Sequence, residues 1–328
     1  MKIEMIKCHG SGNDFILIDE MDAALPFTDS ERADFAAALC SRDSAAGADG
    51  ILFVQESRHC DARMRIFNSD GSEASMCGNG LRCVARYACE KLGSDRLVIE
   101  TMKADLEVEK TEDIFTGIPT FRVEISPVSF QLEDLPLKLD KEVLLNEKIP
   151  QLSDDLYFTA VAVPNPHLIA IVDRDILASG IQETMAVQVN KPNELFPDGV
   201  NVSFVRTLEK NAIFVRTFER GVGFTNACGT AMSASSLVTC LHAGNEPGSE
   251  ITVYNNGGKV KCVVREAAGN MKIDLIGNGS YEYRASIVLD TADFTAFNLE
   301  DKEEYSNEKE LYLKLQDEVS DYLAAFNE

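Results

Sequence analysis

No apolar run in the sequence approaches the ~20 residues that a membrane helix needs, so no spanning helix is expected. The first residues, Met1 to Asp14, hold no apolar core of the kind a secretory signal requires, and the expected compartment is the reducing cytoplasm. Basic residues are scarce: 31 Lys and Arg stand against 54 Asp and Glu, a net charge of −23. Nucleic acid and anionic membrane both need basic patches, so neither is expected as a partner. There is no CxxC pair, and the four histidines include no close pair. Cys77, Cys83 and Cys89 are spaced by six, which scatters them around a helix, and no metal site is expected. The stretch Gly10-Ser-Gly12-Asn13-Asp14 is glycine-rich but does not lie between a strand and a helix as a dinucleotide site would, so no cofactor is expected. Nine cysteines in 328 residues do not make a disulfide scaffold; most should be small core hydrophobes.

What remains is ordinary globular composition, 45% hydrophobic and 26% charged, at a length that predicts about two domains. The chain contains its own repeat. Arg65-Ile-Phe67 precedes Cys77-Gly78 with the same spacing as Arg216-Thr-Phe218 precedes Cys228-Gly229, an offset of 151. A glycine follows each cysteine sixteen residues on, at Gly93 and Gly244. Upstream, Asn13-Asp-Phe-Ile-Leu-Ile-Asp19 parallels Asn165-Pro-His-Leu-Ile-Ala-Ile-Val-Asp173 at an offset of 152. Each half reads as a strand before the cysteine (Ala62 to Phe67, Ile213 to Phe218), then a helix, then hairpin strands (Leu97 to Val108, Ile251 to Val264). Leu81, Val84, Ala85, Ala88 and Leu92 mark one helical face, and Ala231, Ala234, Val238 and Leu241 the other, with Gly93 and Gly244 as stops. This predicts an α+β fold of two similar domains: residues 1–128, with a returning strand near 280–286, and residues 129–279, the join falling in polar Ser129 to Ser153. Residues 287–328 form an acidic extension whose Leu311, Leu315, Val319, Tyr322 and Phe326 outline an amphipathic helix, expected to pack on the body or on a partner subunit outside catalysis.

Each cysteine therefore stands at the mouth of a helix. The first N–H groups of a helix lack internal partners and favour an anion, so a cysteine there is expected to have a lowered thiol pKa. Gly78 and Gly229 let a ligand approach the backbone, and the same N–H groups suit a carboxylate. Two equivalent thiols fit a particular chemistry: one removes a proton from a carbon, the other delivers one to its opposite face, and the configuration inverts.

These residues resemble the diaminopimelate epimerases, cofactor-independent two-cysteine isomerases. The resemblance rests on His9-Gly-Ser-Gly-Asn13-Asp14, Gly47-Ala-Asp49-Gly50, Phe67-Asn68-Ser-Asp-Gly71-Ser-Glu73, Cys77-Gly-Asn-Gly-Leu-Arg-Cys83, Asn165-Pro-His167, Gly199-Val-Asn201-Val, Glu219-Arg220-Gly and Ala227-Cys-Gly-Thr230, in the family's order from Met1 to about Ala285. It implies a mixed β-barrel around a central helix in each half, a homodimer, and conversion of LL- to meso-diaminopimelate in lysine and cell-wall precursor biosynthesis. It implies Cys77 and Cys228 as the acid/base pair, with Gly78, Asn79, Gly229 and Thr230 holding the substrate carboxylate. Asn13, Asn68, Asn165, Asn201, Glu219 and Arg220 would bind the amino and carboxylate groups; an arginine grips a carboxylate bidentately and a glutamate takes an ammonium. His167 would flank a cysteine, although a hydrogen-bonded structural histidine reads equally well, and Asn13 and Asn165 also suit turns. Phe224, Ala231 and Gly50 depart from the family's usual residues. A two-cysteine racemase of other amino acids, a thiol redox switch and a non-catalytic amino-acid-binding protein are the competing readings.

Overall fold

The computed structural model describes residues 1–267 and 270–326. The chain divides into two compact units, Met1–Val123 with Ile276–Glu318, and Glu124–Leu275 with the residues from Val319 on. In chain order the first part contributes β1 (Lys2–Gly10), β2 (Asn13–Glu20), α1 (Asp29–Cys40), β3 (Gly50–Gln55), β4 (Ala62–Asn68), β5 (Glu73–Ala74), α2 (Gly78–Leu92), β6 (Arg96–Glu100), β7 (Asp105–Thr111) and β8 (Thr120–Ile125). Then come β9 (Glu147–Ile149), β10 (Ser153–Val163), β11 (Asn165–Ile171), α3 (Arg174–Ala178), α4 (Ile181–Asn190), β12 (Asn201–Glu209), β13 (Ala212–Glu219), β14 (Gly223–Phe224), α5 (Gly229–His242), β15 (Glu250–Asn255) and β16 (Gly258–Ala267). The chain ends with β17 (Asn270–Asn278), β18 (Ser280–Asp290), β19 (Asp293–Glu304) and α6 (Ser306–Ala324).

The fold is α+β, and the repeat seen in the sequence is a repeat of strand pairing. In the first unit β1 and β2 are antiparallel, β2 and β3 parallel, β3 and β4 antiparallel. β4 then pairs antiparallel with β5 and parallel with β6, which turns back on β7. The second unit repeats the sequence of directions with β10, β11, β12, β13, β14, β15 and β16. Each parallel pair needs a crossover, supplied before β3 by α1 and before β12 by α3 and α4. α2 touches β1, β2, β3, β4, β6 and β7, and α5 touches β10, β11, β12, β13, β15 and β16. A helix surrounded this way buries its first turns on every side. Accordingly α2 buries every residue from Gly78 to Arg86, and α5 every residue from Gly229 to Thr239.

β18 pairs antiparallel with β1, Met5 lying opposite Ala285, and so completes the first unit. The extension holds more than the helix its periodicity announces. β19 pairs with β18, and Phe294, Phe297 and Leu299 pack on a core built from Ile3, Ile16, Ile18, Phe35, Leu39, Phe53 and Ile287. The acidic residues Asp293, Glu300, Asp301, Glu303 and Glu304 give the segment a polar composition that hides the strand. In the second unit the polar run from Ser129 to Ser153 is also packed: Leu132, Leu135, Leu137, Leu144 and Ile149 join Phe158, Leu168, Phe196 and Phe204 in its core. No helix among the described residues is long and apolar enough to cross a membrane.

The join between β1 and β2 brings backbone to backbone. A Cβ on Gly10 would lie 2.7 Å from the Asn79 carbonyl oxygen and 3.0 Å from the Asn79 Cα. Only glycine lets β1 end against the first turn of α2. Ser11 and Gly12 then reverse the chain with φ of 57° and 78°, the left-handed pair that a tight hairpin requires. Gly10→Ala should lower stability by roughly 1–3 kcal/mol, because the nearest clash is with the Asn79 main chain, and the buried Arg82 guanidinium, 2.9 Å away, is crowded as well. Urea unfolding followed by circular dichroism reads this as a lower midpoint at unchanged slope; an unchanged midpoint would mean that β1 yields freely.

Candidate active site

Cys77 and Cys228 occupy the N-cap positions of α2 and α5. Their backbones are extended, with φ and ψ of −146° and 112° at Cys77 and −118° and 109° at Cys228. The helices stop as predicted: Gly93 is a left-handed C-cap, and Gly244, also left-handed, follows the C-cap Ala243. All nine cysteines carry thiols.

In the first unit the Gly80 amide donates to Cys77 Sγ at 3.5 Å, and the thiol faces Asn13 Oδ1 at 3.8 Å. Asn79 Nδ2 donates to the same Asn13 oxygen at 3.2 Å. Asn13 Nδ2 in turn donates to Asp49 Oδ2 at 2.6 Å. The Asp49 carbonyl accepts the Ser69 amide, which brings in the turn that follows Asn68. Asn68 itself closes that turn on Ser72 through its amide and its side chain. Asp49 thus joins Asn13 to the Asn68 turn, a role that sequence reading left unassigned although the Gly47-Ala-Asp49-Gly50 segment was noted. Gly50 is explained by proximity: a Cβ there would sit 2.6 Å from the Phe67 carbonyl oxygen. Behind Asn13 lies an ion cluster that also went unread. Lys7, almost fully buried, pairs with Asp14 at 2.6 Å, and Arg42 grips Asp14 through two nitrogens at 2.8 and 2.9 Å. Burial pulls the Asp14 pKa upward, but Arg42 and Lys7 outweigh it and hold it at about 2.

In the second unit His167 and Asn201 are register partners on the parallel strands β11 and β12. His167 Nε2 lies 3.1 Å from Thr230 Oγ1, and that hydroxyl lies 3.6 Å from Cys228 Sγ. Asn201 Oδ1 accepts the Arg220 amide at 2.8 Å, and Arg220 Nη1 donates to the Asp198 carbonyl at 2.9 Å. Asn165 opens β11, half-buried. Ala231 is fully buried in the first turn of α5, and Phe224 stacks edge-on against Phe218 at 5.2 Å, partly exposed.

The electrostatics correct one expectation. The mouth of a helix was expected to lower a cysteine pKa, yet Cys228 stands well above the usual thiol value. Burial is the largest cause, and the neighbouring Glu219 carboxylate adds to it. The Thr230 hydroxyl and the Ala231 amide pull the other way and are outweighed. The helix terminus is a partial charge, and complete burial beside a full negative charge defeats it. His167 is fully buried, its pKa pushed down to about 3 by burial and then by the Arg220 cation. It is therefore neutral, and its Nδ1 is buried with no hydrogen-bond partner.

Solved structures establish the fold class. A PhzF-family phenazine biosynthesis protein of Bacillus anthracis superimposes with a TM-score of 0.62 at 17% identity, covering 88% of this chain and 100% of that one. A hydroxyproline epimerase of Agrobacterium vitis gives 0.59 at 15% identity, covering 89% and 92%. These low identities define a duplicated two-unit scaffold and nothing finer. Sequence similarity is closer. The Diaminopimelate epimerase family profile matches residues 5–120 and 159–280. Curated diaminopimelate epimerases of Listeria monocytogenes (48% identity, 98% of both chains) and Clostridium acetobutylicum (45%, 95% of this chain and 93% of the relative) align over nearly full length. The chain belongs to the diaminopimelate epimerase family and is an isomerase.

Folded His167 binds no proton until the pH nears 3, whereas the unfolded imidazole takes one below about 6.5. Its contribution to stability is thus complete above about 6.5 and is lost as the pH falls toward 3. At pH 5 the loss is about 2 kcal/mol. His167→Gln should shrink by that amount the fall in unfolding free energy between pH 7 and pH 5, measured by urea titration. Equal falls in both proteins would show that His167 is not buried in neutral form.

Proposed function

We propose that the chain interconverts LL- and meso-diaminopimelate by two-base proton transfer between Cys77 and Cys228. The observation that carries the proposal is the placement of both cysteines, by one repeated pattern of strands, as N-caps of buried helices in a chain of this family. The substrate's α-carboxylate would lie against the first turns of α2 and α5, where Gly78, Asn79, Gly229 and Thr230 carry amides without intrahelical partners. That anchor withdraws charge from the Cα–H bond and receives charge as the carbanion forms.

One sulfur, as thiolate, takes the α-proton and becomes a thiol. The carbanion then takes the proton of the other thiol on its opposite face, leaving a thiolate there, so protons and charge balance over the turnover. Burial and Glu219 keep Cys228 protonated, the form that donates. Asn13, Asn68, Asn165 and Asn201 would read the amino and carboxylate groups, with Glu219 toward an ammonium and Arg220 toward a carboxylate. His167, neutral and bonded to Thr230, would hold the Thr230 hydroxyl beside Cys228 and would not act as an acid.

The test is incubation with LL-diaminopimelate in D2O, read by NMR and chiral chromatography. Deuterium should enter one α-carbon as the meso isomer forms, and Cys77→Ala should reduce turnover by at least about a hundredfold while leaving the fold intact. Exchange of other amino acids but not this one would replace the epimerase by a racemase. Turnover retained in Cys77→Ala would remove the cysteine from the mechanism, and a requirement for a Cys77–Cys228 disulfide would make the pair a redox switch.

A further inference from the structure

The family profile ends at residue 280, yet the extension beyond it does not merely coat the surface. The first half of α6 packs on two elements that carry the proposed chemistry. Glu308 takes Arg86 of α2 through both oxygens, at 2.6 and 2.8 Å, and also accepts the Tyr281 amide at 3.0 Å. Arg86 lies over the Tyr281 ring at 3.6 Å and donates to the Gly279 carbonyl. One turn further on, Tyr312 is buried, its ring 4.4 Å from the imidazole of His9 and inclined at 66°. Its hydroxyl oxygen is 3.9 Å from the position that a Cβ on Gly12 would take.

His9 is the hinge post of the hairpin turn. Its Nδ1 accepts the Gly12 amide at 3.3 Å and faces Asn278 Nδ2 at the same distance, which places the imidazole proton on Nε2. Asn278 Oδ1 accepts the Ser11 amide at 2.9 Å. Arg82, fully buried, donates to Ser11 Oγ at 2.9 Å and to Asn79 Oδ1 at 3.1 Å. Ser11 holds a left-handed conformation that costs an ordinary L-residue energy, and such a residue persists only when its surroundings over-determine it. Here His9, Asn278 and Arg82 supply the hydrogen bonds, and the Tyr312 ring packs edge-on against His9. The next residue after that turn is Asn13, the partner of the Cys77 thiol.

We propose that Tyr312 is a positioning residue: by fixing His9 it holds the Ser11–Gly12 turn and so keeps Asn13 against Cys77, which makes the extension part of the catalytic unit. The inference rests on the reading in which Asn13 and Cys77 serve the reaction. Tyr312→Ala leaves the His9 ring free to turn away from the Gly12 amide, the turn relaxes, and Asn13 moves off the sulfur. Tyr312→Phe keeps the ring that does the holding.

The experiment compares Tyr312→Ala, Tyr312→Leu and Tyr312→Phe with the wild type in the full-length protein. Three quantities are read: kcat and KM for LL-diaminopimelate, the rate of Cys77 alkylation by iodoacetamide followed by mass spectrometry, and the melting temperature. Misplacement by about an ångström costs on the order of ten- to a hundredfold in rate. Tyr312→Ala should therefore lose at least about tenfold in kcat per folded molecule. Its Cys77 should alkylate severalfold faster, since the Asn13 oxygen no longer holds the S–H. Tyr312→Leu, which keeps bulk if the alanine variant fails to fold, should move both in the same direction, and Tyr312→Phe should stay within about twofold of wild type. A lowered melting temperature with kcat unchanged and with Cys77 reacting no faster than in the wild type would overturn the proposal and leave Tyr312 structural. Should the wild type fail to exchange diaminopimelate, the assigned reaction falls, and the alkylation rates still decide whether Tyr312 governs Cys77.

Discussion

A helix begins with peptide N–H groups that have no acceptor within the helix, and burying that end is costly unless something answers them. In this protein two buried helices begin at a cysteine, each fed by an extended segment after a two-stranded turn. The glycines that follow, Gly78 in α2 and Gly229 in α5, put no side chain on the first residue of each helix, and Gly80 lets α2 pack against Leu52. Each helix packs against six strands of its unit, so the direction of those N–H donors is set by the whole unit. The rest of the molecule serves this arrangement: the crossovers, the close approach of Gly10 to Asn79, and the returning strand β18 all act to fix where the helix begins.

The two ends are built alike and conditioned differently. Cys77 is half-buried, receives the Gly80 amide on its sulfur and faces the Asn13 side-chain oxygen. Cys228 is buried beside Glu219 and a neutral histidine, and the charged form of its thiol is strongly disfavoured. The duplication supplied two equivalent positions, and the residues around them have diverged.

The extension illustrates how a segment outside a family's common core becomes tied to its centre. β19 adds phenylalanines to the core beside α1, while α6 lays a carboxylate on Arg86 and a tyrosine on His9. These contacts reach the helix and the turn that carry Cys77 and Asn13, not a distant face of the unit. The acidic excess of the segment is accordingly mixed in purpose: Glu308 is a structural anion, whereas Glu303 and Asp301 face solvent and pair with surface cations.

The sequence alone determined the repeat, the helix starts and stops, and the strands before each cysteine, because these depend on local periodicity, turn chemistry and spacing. Polar dress misled it at β19 and in the segment holding Leu132 to Leu144, where apolar positions are sparse but lie on one side. It also missed Asp49, Lys7 and Arg42, whose significance lies in partners far along the chain. Only the tertiary structure decided the protonation of Cys228 and His167 and the reach of Tyr312 to the Asn13 turn. Those are consequences of burial and of contacts between distant residues, and burial overturns the intrinsic preference of a titratable group when water is replaced by packed side chains and fixed charges.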